Sequence, residues 1–196
     1  MAIHPSAFVH PTAVVDEGAD IGEGSKIWHF SHVMAGARIG DQCSLGQGCF
    51  VAAGVRVGNG VRVQNNVSLY DGVVLEDDVF VGPCAVFTNV VNPRAAVSRR
   101  AEYQRTVVRR GASIGANATV LPGRTLGQYS FIAAGAVVVY DVPDFALIVG
   151  TPGEHTGWMS RHGRKLAFDE EGMATCPGTG ERYRRMLDGT VVVFDW

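Results

Sequence analysis

The sequence predicts an all-β chain wound as a parallel β-helix, about seven coils of three hexapeptides, with one extruded loop and a small C-terminal extension. Three observations predict it. Counted in sixes from Ile3, the first residue of every step is bulky and apolar: Ile3, Val9, Val15, Ile21, Ile27 and Val33 open a run that continues to Phe87. The phase then breaks and resumes at Val108, Ile114, Val120, Leu126, Ile132 and Val138, for 21 hexads in all. Four residues after these openers stands a small or β-branched residue, such as Ala7, Ser25, Cys43, Val67 and Ala112, and glycine gathers at the second and fourth places.

A period of six is neither the ~3.6 of an amphipathic helix nor the unbroken alternation of a long strand. It is met by a short strand, a tight corner and another short strand. The bulky residue fills the interior, the small one fits a crowded corner, and glycine supplies the positive φ that corners demand. Stacked coils pair each strand with those above and below at ~4.8 Å, so seven coils stand ~34 Å tall. One coil cannot bury its own apolar face, and stability comes from the stack. The expected division is a β-helix over residues 1–145, with the loop extruded at about 88–107, and a closing segment with a short hairpin tail over 146–196.

Composition narrows the partners. A net charge of −2 gives no general affinity for nucleic acid. Of 17 basic residues 15 are arginine, the side chain suited to gripping phosphate or carboxylate with a planar fork. No apolar run approaches the ~20 residues of a membrane span. The repeat begins at Ile3, leaving no room for a leader, and a cytoplasmic location is expected. The four cysteines form no C-x-x-C pair; Cys43 and Cys49 fall at small-residue places, Cys176 looks like half of a knuckle without its second pair, and no metal is expected.

Charge is concentrated in the interruption. Residues 88–110 hold Arg94, Arg99, Arg100, Arg105, Arg109 and Arg110 against the single acid Glu102. An insertion leaves a solenoid as an external loop, commonly on the functional face, and this one reads as an anion grip. The alternative is a solvated basic loop.

The six histidines are His4, His10, His29, His32, His155 and His162, so none lies in the middle or upper coils. An alcohol needs a positioned base to attack a thioester. An amine beside electron-withdrawing neighbours is partly neutral near pH 7–8 and attacks unaided once held in line, leaving a thiol of pKa near ~8.5. The missing central histidine favours N-acylation.

The hexads over residues 3 to about 143 resemble the hexapeptide-repeat acyltransferases, whose coils are left-handed. Gln64-Asn-Asn-Val-Ser-Leu-Tyr-Asp-Gly72, Leu75-Glu-Asp-Asp-Val-Phe-Val-Gly-Pro83, Val86-Phe-Thr-Asn-Val-Val-Asn-Pro-Arg94 and the Cys176-Pro-Gly-Thr-Gly-Glu-Arg-Tyr183 tail narrow the resemblance. They are similar to the N-acetyltransferases of UDP-2-acetamido-3-amino-2,3-dideoxy-glucuronic acid and of dTDP-3-amino sugars, which serve bacterial surface polysaccharide and O-antigen synthesis. The resemblance implies acetyl-CoA as co-substrate, a homotrimer with active sites between subunits, and no general base. It implies that Asn89 orients the amine or the acetyl carbonyl and that Arg94 meets the diphosphate or carboxylate. Gln64, Asn66 and Tyr70 are candidates for sugar or base contacts, and Trp28, His29 and His32 for packing a nucleotide base. For acetyl-CoA it implies backbone contacts near Ala116, Ala134 and Gly135, the adenine end near Pro152 and Gly153, and Arg161 or Lys165 near the phosphates.

One residue breaks the pattern: Arg124 sits where a small residue belongs, and must reach outward or meet an anion. Three other readings stay open. O-acetylation of a small alcohol would draw its base from His29 or His32 of a neighbouring subunit. A γ-class carbonic anhydrase would need a third histidine in the middle coils. A non-enzymatic scaffold would need neither the arginine-rich insertion nor the Gly150-Thr-Pro-Gly153 closure.

Overall fold

In each hexad one short strand turns its first residue outward and its second into the core, as Lys26 and Ile27 do in the strand Lys26–Ile27. The computed structural model describes residues 3–194 and stacks these strands into three parallel sheets around one interior. Face one carries eight parallel strands from Phe8–Val9 to Ala146–Val149, with register steps of 18 residues such as Phe8↔Lys26 and Arg62↔Phe80. Face two carries seven, from Val14–Val15 to Val137–Val138, and face three carries six, from Asp20–Ile21 to Thr125–Leu126.

The core is the column of openers. Ile27, Leu45, Leu69, Val81, Ile114, Leu126 and Ile132 are buried, and the corner residues Ala37, Cys43, Val55, Val67, Ala112 and Ala136 close the angles between them. Each large aliphatic contributes about 1.5–3 kcal/mol by leaving water. Corner geometry explains the glycines: Gly48 turns at φ 68°, and Asn66 adopts φ 61° at the equivalent place one coil above. Asparagine tolerates that left-handed conformation better than most side chains.

The three corners define three edges. Edge I joins faces one and two and contains residues 28–31, 64–67, 115–118 and 133–136. Edge II joins faces two and three and contains residues 34–37, 70–72 and 121–124; the insertion leaves here, between Val86–Phe87 and Thr106–Val108. Edge III joins faces three and one and contains residues 22–25, 40–43, 76–79 and 127–130.

Two features depart from the hexad count. The loop closes at residue 105, because Thr106 already pairs with Val73 on face three. Face one also gains an eighth parallel strand, Ala146–Val149, paired Phe131↔Leu147 at an offset of 16 rather than 18. The corner between Val138 and Val142 is two residues short, since Val142 already bridges Leu126 at the same offset of 16, so the count in sixes loses this strand. Two antiparallel strands, Glu154–Met159 and Lys165–Leu166, extend the same sheet.

The tail is a three-stranded antiparallel sheet, Met173–Thr175, Arg182–Arg185 and Val191–Phe194, where the sequence predicted a short hairpin. Met173–Thr175 adds the third strand because Ala174, opposite Tyr183, is buried in the tail's own small core. Tyr183 meets Phe145 at 5.6 Å, and Phe145 stacks on Tyr129 of edge III at 5.5 Å, so the tail is seated on the end of the coil stack.

Candidate functional site

The sequence-derived site residues fall on two of the three edges. Edge I collects Trp28, His29, Gln64 and Asn66 in its lower coils and Ala116, Ala134 and Gly135 above them. The Gly135 N–H donates to the Ala116 carbonyl at 2.9 Å, the Thr151 hydroxyl donates to the Gly135 carbonyl at 3.2 Å, and the Gly153 N–H donates to the Val137 carbonyl at 2.8 Å. Pro152 and Gly153 therefore finish the same column, and the Tyr140 hydroxyl on edge II ties it across by donating to the Gly153 carbonyl.

The outward dressing of the edges differs. In three successive coils of edge III the second corner residue is capped by a side chain one coil above: the N–H groups of Glu23, Asp41 and Asn59 donate to Asp41, Asn59 and Asp77, each at 2.8 Å. The cap recurs at the top, where the Gln128 N–H donates to Asp144 at 2.7 Å. On edge I only Gln47 has this cap, from Asn65 at 2.9 Å. Above it the equivalent places are Pro83, Ala116 and Ala134, which carry no acceptor. The backbone N–H groups of Ala116 and Ala134 make no hydrogen bond among the described residues. A Cβ built on Gly135 would meet nothing within 4 Å. An extended ligand with amide groups, such as the pantetheine arm of acetyl-CoA, fits such an edge: small residues admit it and two backbone donors await its carbonyls.

Lower on edge I, Trp28, His29 and Gln64 share a depression of about 280 Å³ with Ser44, Gln47 and Asn65. The Trp28 indole donates to Ser44 at 3.2 Å. His29 stacks on His10 at 3.5 Å, and burial together with the His29 charge holds the His10 imidazole below its ordinary pKa. Asn66 serves the corner itself, donating its N–H to the Gln47 carbonyl at 2.8 Å. His32 lies on face two, paired with Asp16 at 3.1 Å and edge-on to Phe50 at 5.8 Å; Phe50 leads on to Tyr70 at 5.9 Å.

Edge II carries Tyr70, Asn89 and the loop. Asn89 forms the loop's neck: its carbonyl accepts the Gln104 N–H at 2.9 Å. Below it, Thr88 is fixed by its N–H and hydroxyl, both donating to the Val120 carbonyl at 3.1 Å. The loop is braced by the Arg94↔Val97 bridge and by a 3-10 turn, Arg100–Glu102, in which Arg99 pairs with Glu102 at 2.8 Å. Arg110 pairs with Asp77 at 2.7 Å. Arg94, Arg100, Arg105 and Arg109 are exposed and form no ion pair among the described residues, which leaves their charge available to an anion.

Arg161 and Lys165 are not brought to edge I. Arg161 pairs with Glu181 at 3.2 Å and lies 5.2 Å over the Tyr129 ring, so its guanidinium holds the tail to edge III. Lys165 stands on the last strand of face one, paired with Met159. Among the described residues no histidine stands on edge II. His29 sits three coils below Asn89, a rise of ~14 Å at the strand spacing. Residues the sequence reading did not single out are Gln104, whose side chain packs on Gly123, and Thr106, buried with an unpartnered hydroxyl. Their only signal was position, just before the repeat resumes.

Cys43 and Cys49 act as corner fillers. Burial pushes the thiols of Cys43 and Cys49 up, and their Sγ atoms meet the carbonyls of Gly58 and Gln64 at 3.0 and 3.2 Å. Cys176 lies in the tail core. Burial alone would raise its thiol, but hydrogen bonds from Ser160, Thr179 and the backbone N–H groups of Gly178 and Thr179 bring it down to about 7.

Three parallel faces, six-residue steps and an edge loop define the class, a left-handed β-helix. Residues 1–100, about half of the chain, match the family model described as the GMPPB C-terminal domain, and the chain belongs to that family; residues 110–140 match the hexapeptide repeat of succinyl-transferase. Over 90 residues, 45% of the chain and 45% of the relative, it is 42% identical to a dTDP-3-amino-3,6-dideoxy-α-D-galactopyranose 3-N-acetyltransferase of Aneurinibacillus thermoaerophilus. Over 72 residues, 37% of the chain and 28% of the relative, it is 39% identical to a 2,3,4,5-tetrahydropyridine-2,6-dicarboxylate N-acetyltransferase of Brevibacillus brevis. The matched segments span less than half the length of these relatives. Among solved structures, the acetyltransferase domain of PglB from Neisseria gonorrhoeae FA1090 in complex with acetyl coenzyme A superposes with a TM-score of 0.52 at 24% identity, over 77% of this chain and 58% of that one. At that identity the likeness is one of fold. No helix among the described residues is long and apolar enough to cross a membrane.

Proposed function

We propose that the protein is an acetyl-CoA-dependent N-acetyltransferase of a nucleotide-linked amino sugar. The acceptor is the 3-amino group of UDP-2-acetamido-3-amino-2,3-dideoxy-glucuronate or a close analogue, made in the cytoplasm for a surface polysaccharide. The observation that carries the reading is the pairing of edges. The uncapped N–H groups of Ala116 and Ala134 suit a pantetheine arm, while the next edge offers Asn89, a cationic loop and no histidine. The named activity of the Aneurinibacillus relative supports the same chemistry.

In one protomer the two edges lie on opposite sides of face two. A complete site then forms where edge I of one copy meets edge II of the next, as a closed homotrimer allows. Edge III, where Glu23, Asp41, Asn59 and Gln128 are capped in this way, faces away from that seam.

The transfer needs little from side chains. The amine lone pair attacks the thioester carbonyl carbon, forming the C–N bond, with the Asn89 amide orienting the amine or the carbonyl. The tetrahedral intermediate collapses, the C–S bond breaks and the electron pair leaves on sulfur. The coenzyme thiolate takes the proton that the new amide nitrogen loses, so no protein base is consumed.

Incubation with acetyl-CoA and a UDP-3-amino sugar should release thiol in step with N-acetylated product. Asn89→Ala should lower kcat/KM on the order of 100-fold, the usual loss of one oriented amide donor. The rate should climb with pH as the amine loses its proton, without a histidine limb near ~6.5. Absence of thiol release above background would overturn the assignment.

A further inference from the structure

The loop neck sets two primary amides side by side at edge II, one on each arm of the loop. The Gln104 N–H donates to the Asn89 carbonyl at 2.9 Å, so backbone atoms hold the neck. Asn89 is half-buried, Gln104 is exposed, and neither side-chain amide has a hydrogen-bond partner among the described residues. Both amides are therefore open to a ligand. The remaining polar side chain of this corner is engaged, since the Thr88 hydroxyl donates to the Val120 carbonyl at 3.1 Å.

Gln104 is clamped in the edge II column between two glycines. Below it, a Cβ on Gly72 would lie 3.1 Å from the Gln104 carbonyl oxygen. Above it, a Cβ on Gly123 would lie 2.4 Å from Gln104 Oε1 and 3.4 Å from its Cβ. The side chain thus lies upward against Gly123 with Oε1 toward it, which leaves the –NH2 branch turned away from the coil. Gly123 follows the strand Thr119–Val120 and shares its coil with Ala116 on edge I. In a closed trimer whose axis runs along the prism, equal coils face one another across each seam. The Gln104 amide then stands level with the uncapped Ala116 N–H of the next copy, where the pantetheine arm would end. Asn89 stands one coil lower, by ~4.8 Å.

We infer that Gln104 is a second catalytic residue, whose –NH2 group donates to the thioester oxygen as that oxygen becomes an oxyanion, while Asn89 orients the amine. This rests on the acetyltransferase reading and adds the group that meets the developing charge. When the amine forms the C–N bond, the carbonyl π pair moves onto oxygen, and an N–H donor fixed beside it lowers the barrier. The pair returns to carbon as the C–S bond breaks, and Gln104 gives up no proton. A single amide fixed at the neck faces one of the two reacting groups, and the pair covers both: an amide oxygen accepts from the amine, and an amide –NH2 donates to the oxyanion. The insertion brings the second amide to the first without needing any charged side chain at the reacting carbon.

The test uses two variants that keep the length of the side chain and its packing on Gly123. Gln104→Met removes the amide. It should lower kcat on the order of 100-fold, the usual loss of one oxyanion donor, and leave KM for acetyl-CoA and for the UDP-3-amino sugar nearly unchanged. Gln104→Glu keeps an acceptor but no donor, and should be at least as slow as Gln104→Met. A kcat near wild type in either variant overturns the inference, and so does a clear recovery in Gln104→Glu, which would mark an accepting group. Wild type inert toward every UDP-3-amino sugar overturns the acetyltransferase reading and this inference with it; an active wild type beside equally active variants overturns this inference alone. Calorimetry gives a readout without turnover. Because the charge exists only in the transition state, Gln104→Met should bind coenzyme A and the UDP-3-amino sugar as tightly as wild type does. Affinity lost in proportion to kcat/KM would contradict the assignment and mark Gln104 as a ground-state contact.

Discussion

Asn59 shows how a single side chain supports this fold. Its Oδ1 accepts the Asp41 N–H one coil below, while its own N–H donates to Asp77 one coil above, both at 2.8 Å. Asp77 is held below its usual carboxylate range first by the Asn59 N–H and then by Arg110. The outward backbone groups of edge III are thereby satisfied by side chains spaced 18 residues apart. Asn59→Ala leaves the Asp41 N–H to water and should destabilise the protein by about 1 kcal/mol, the net worth of such a bond. Asn59→Asp, which keeps the acceptor, should cost less. Thermal unfolding of the two variants checks the order, and an alanine variant as stable as wild type would refute the role given to the ladder.

At the scale of the element, the extruded loop is a built device rather than slack chain. A neck at Asn89 and Gln104, the Arg94↔Val97 bridge and the Arg99–Glu102 pair give it shape, while Arg94, Arg100, Arg105 and Arg109 keep their charge outward. If the loop grips the nucleotide diphosphate, Arg94→Ala should raise KM for the nucleotide sugar on the order of tenfold or more and change KM for acetyl-CoA little. Steady-state kinetics with each substrate varied separately distinguishes this from a general loss, which would move both constants together. The corner between Val138 and Val142 is the second informative element, because its two missing residues shift the phase at which face one gains the strand Ala146–Val149.

At the scale of the whole molecule, periodicity made most of the fold legible. Each opener from Val33 to Val138 is a buried residue because a six-residue step brings the same side chain inward at every face. What periodicity could not show was any element built on another rule. The eighth strand follows a shortened corner, and the tail sheet forms around Tyr183 and Cys176 with no repeat to announce it. The candidate site was legible in part. Ala116 and Ala134 stack because they stand one coil apart, and Asn89 was visible through its motif. Arg161 is placed by contacts that sequence does not show, Glu181 and the Tyr129 ring. The orphaned hydroxyl of Thr106 was invisible, since such polarity exists only in three dimensions.

The division of the site between two edges is the claim that most needs a direct test. Asn89→Ala removes the edge II contribution, and Ala134→Trp blocks edge I with a side chain that points into open space. Each variant alone should be nearly inactive in acetyl-CoA turnover with the amino sugar. Unfolding and refolding an equal mixture should restore about a quarter of wild-type activity, because in a closed trimer about one seam in four pairs an intact edge I with an intact edge II. A mixture as inactive as its two components would contradict the shared site and place both halves of the chemistry within one chain.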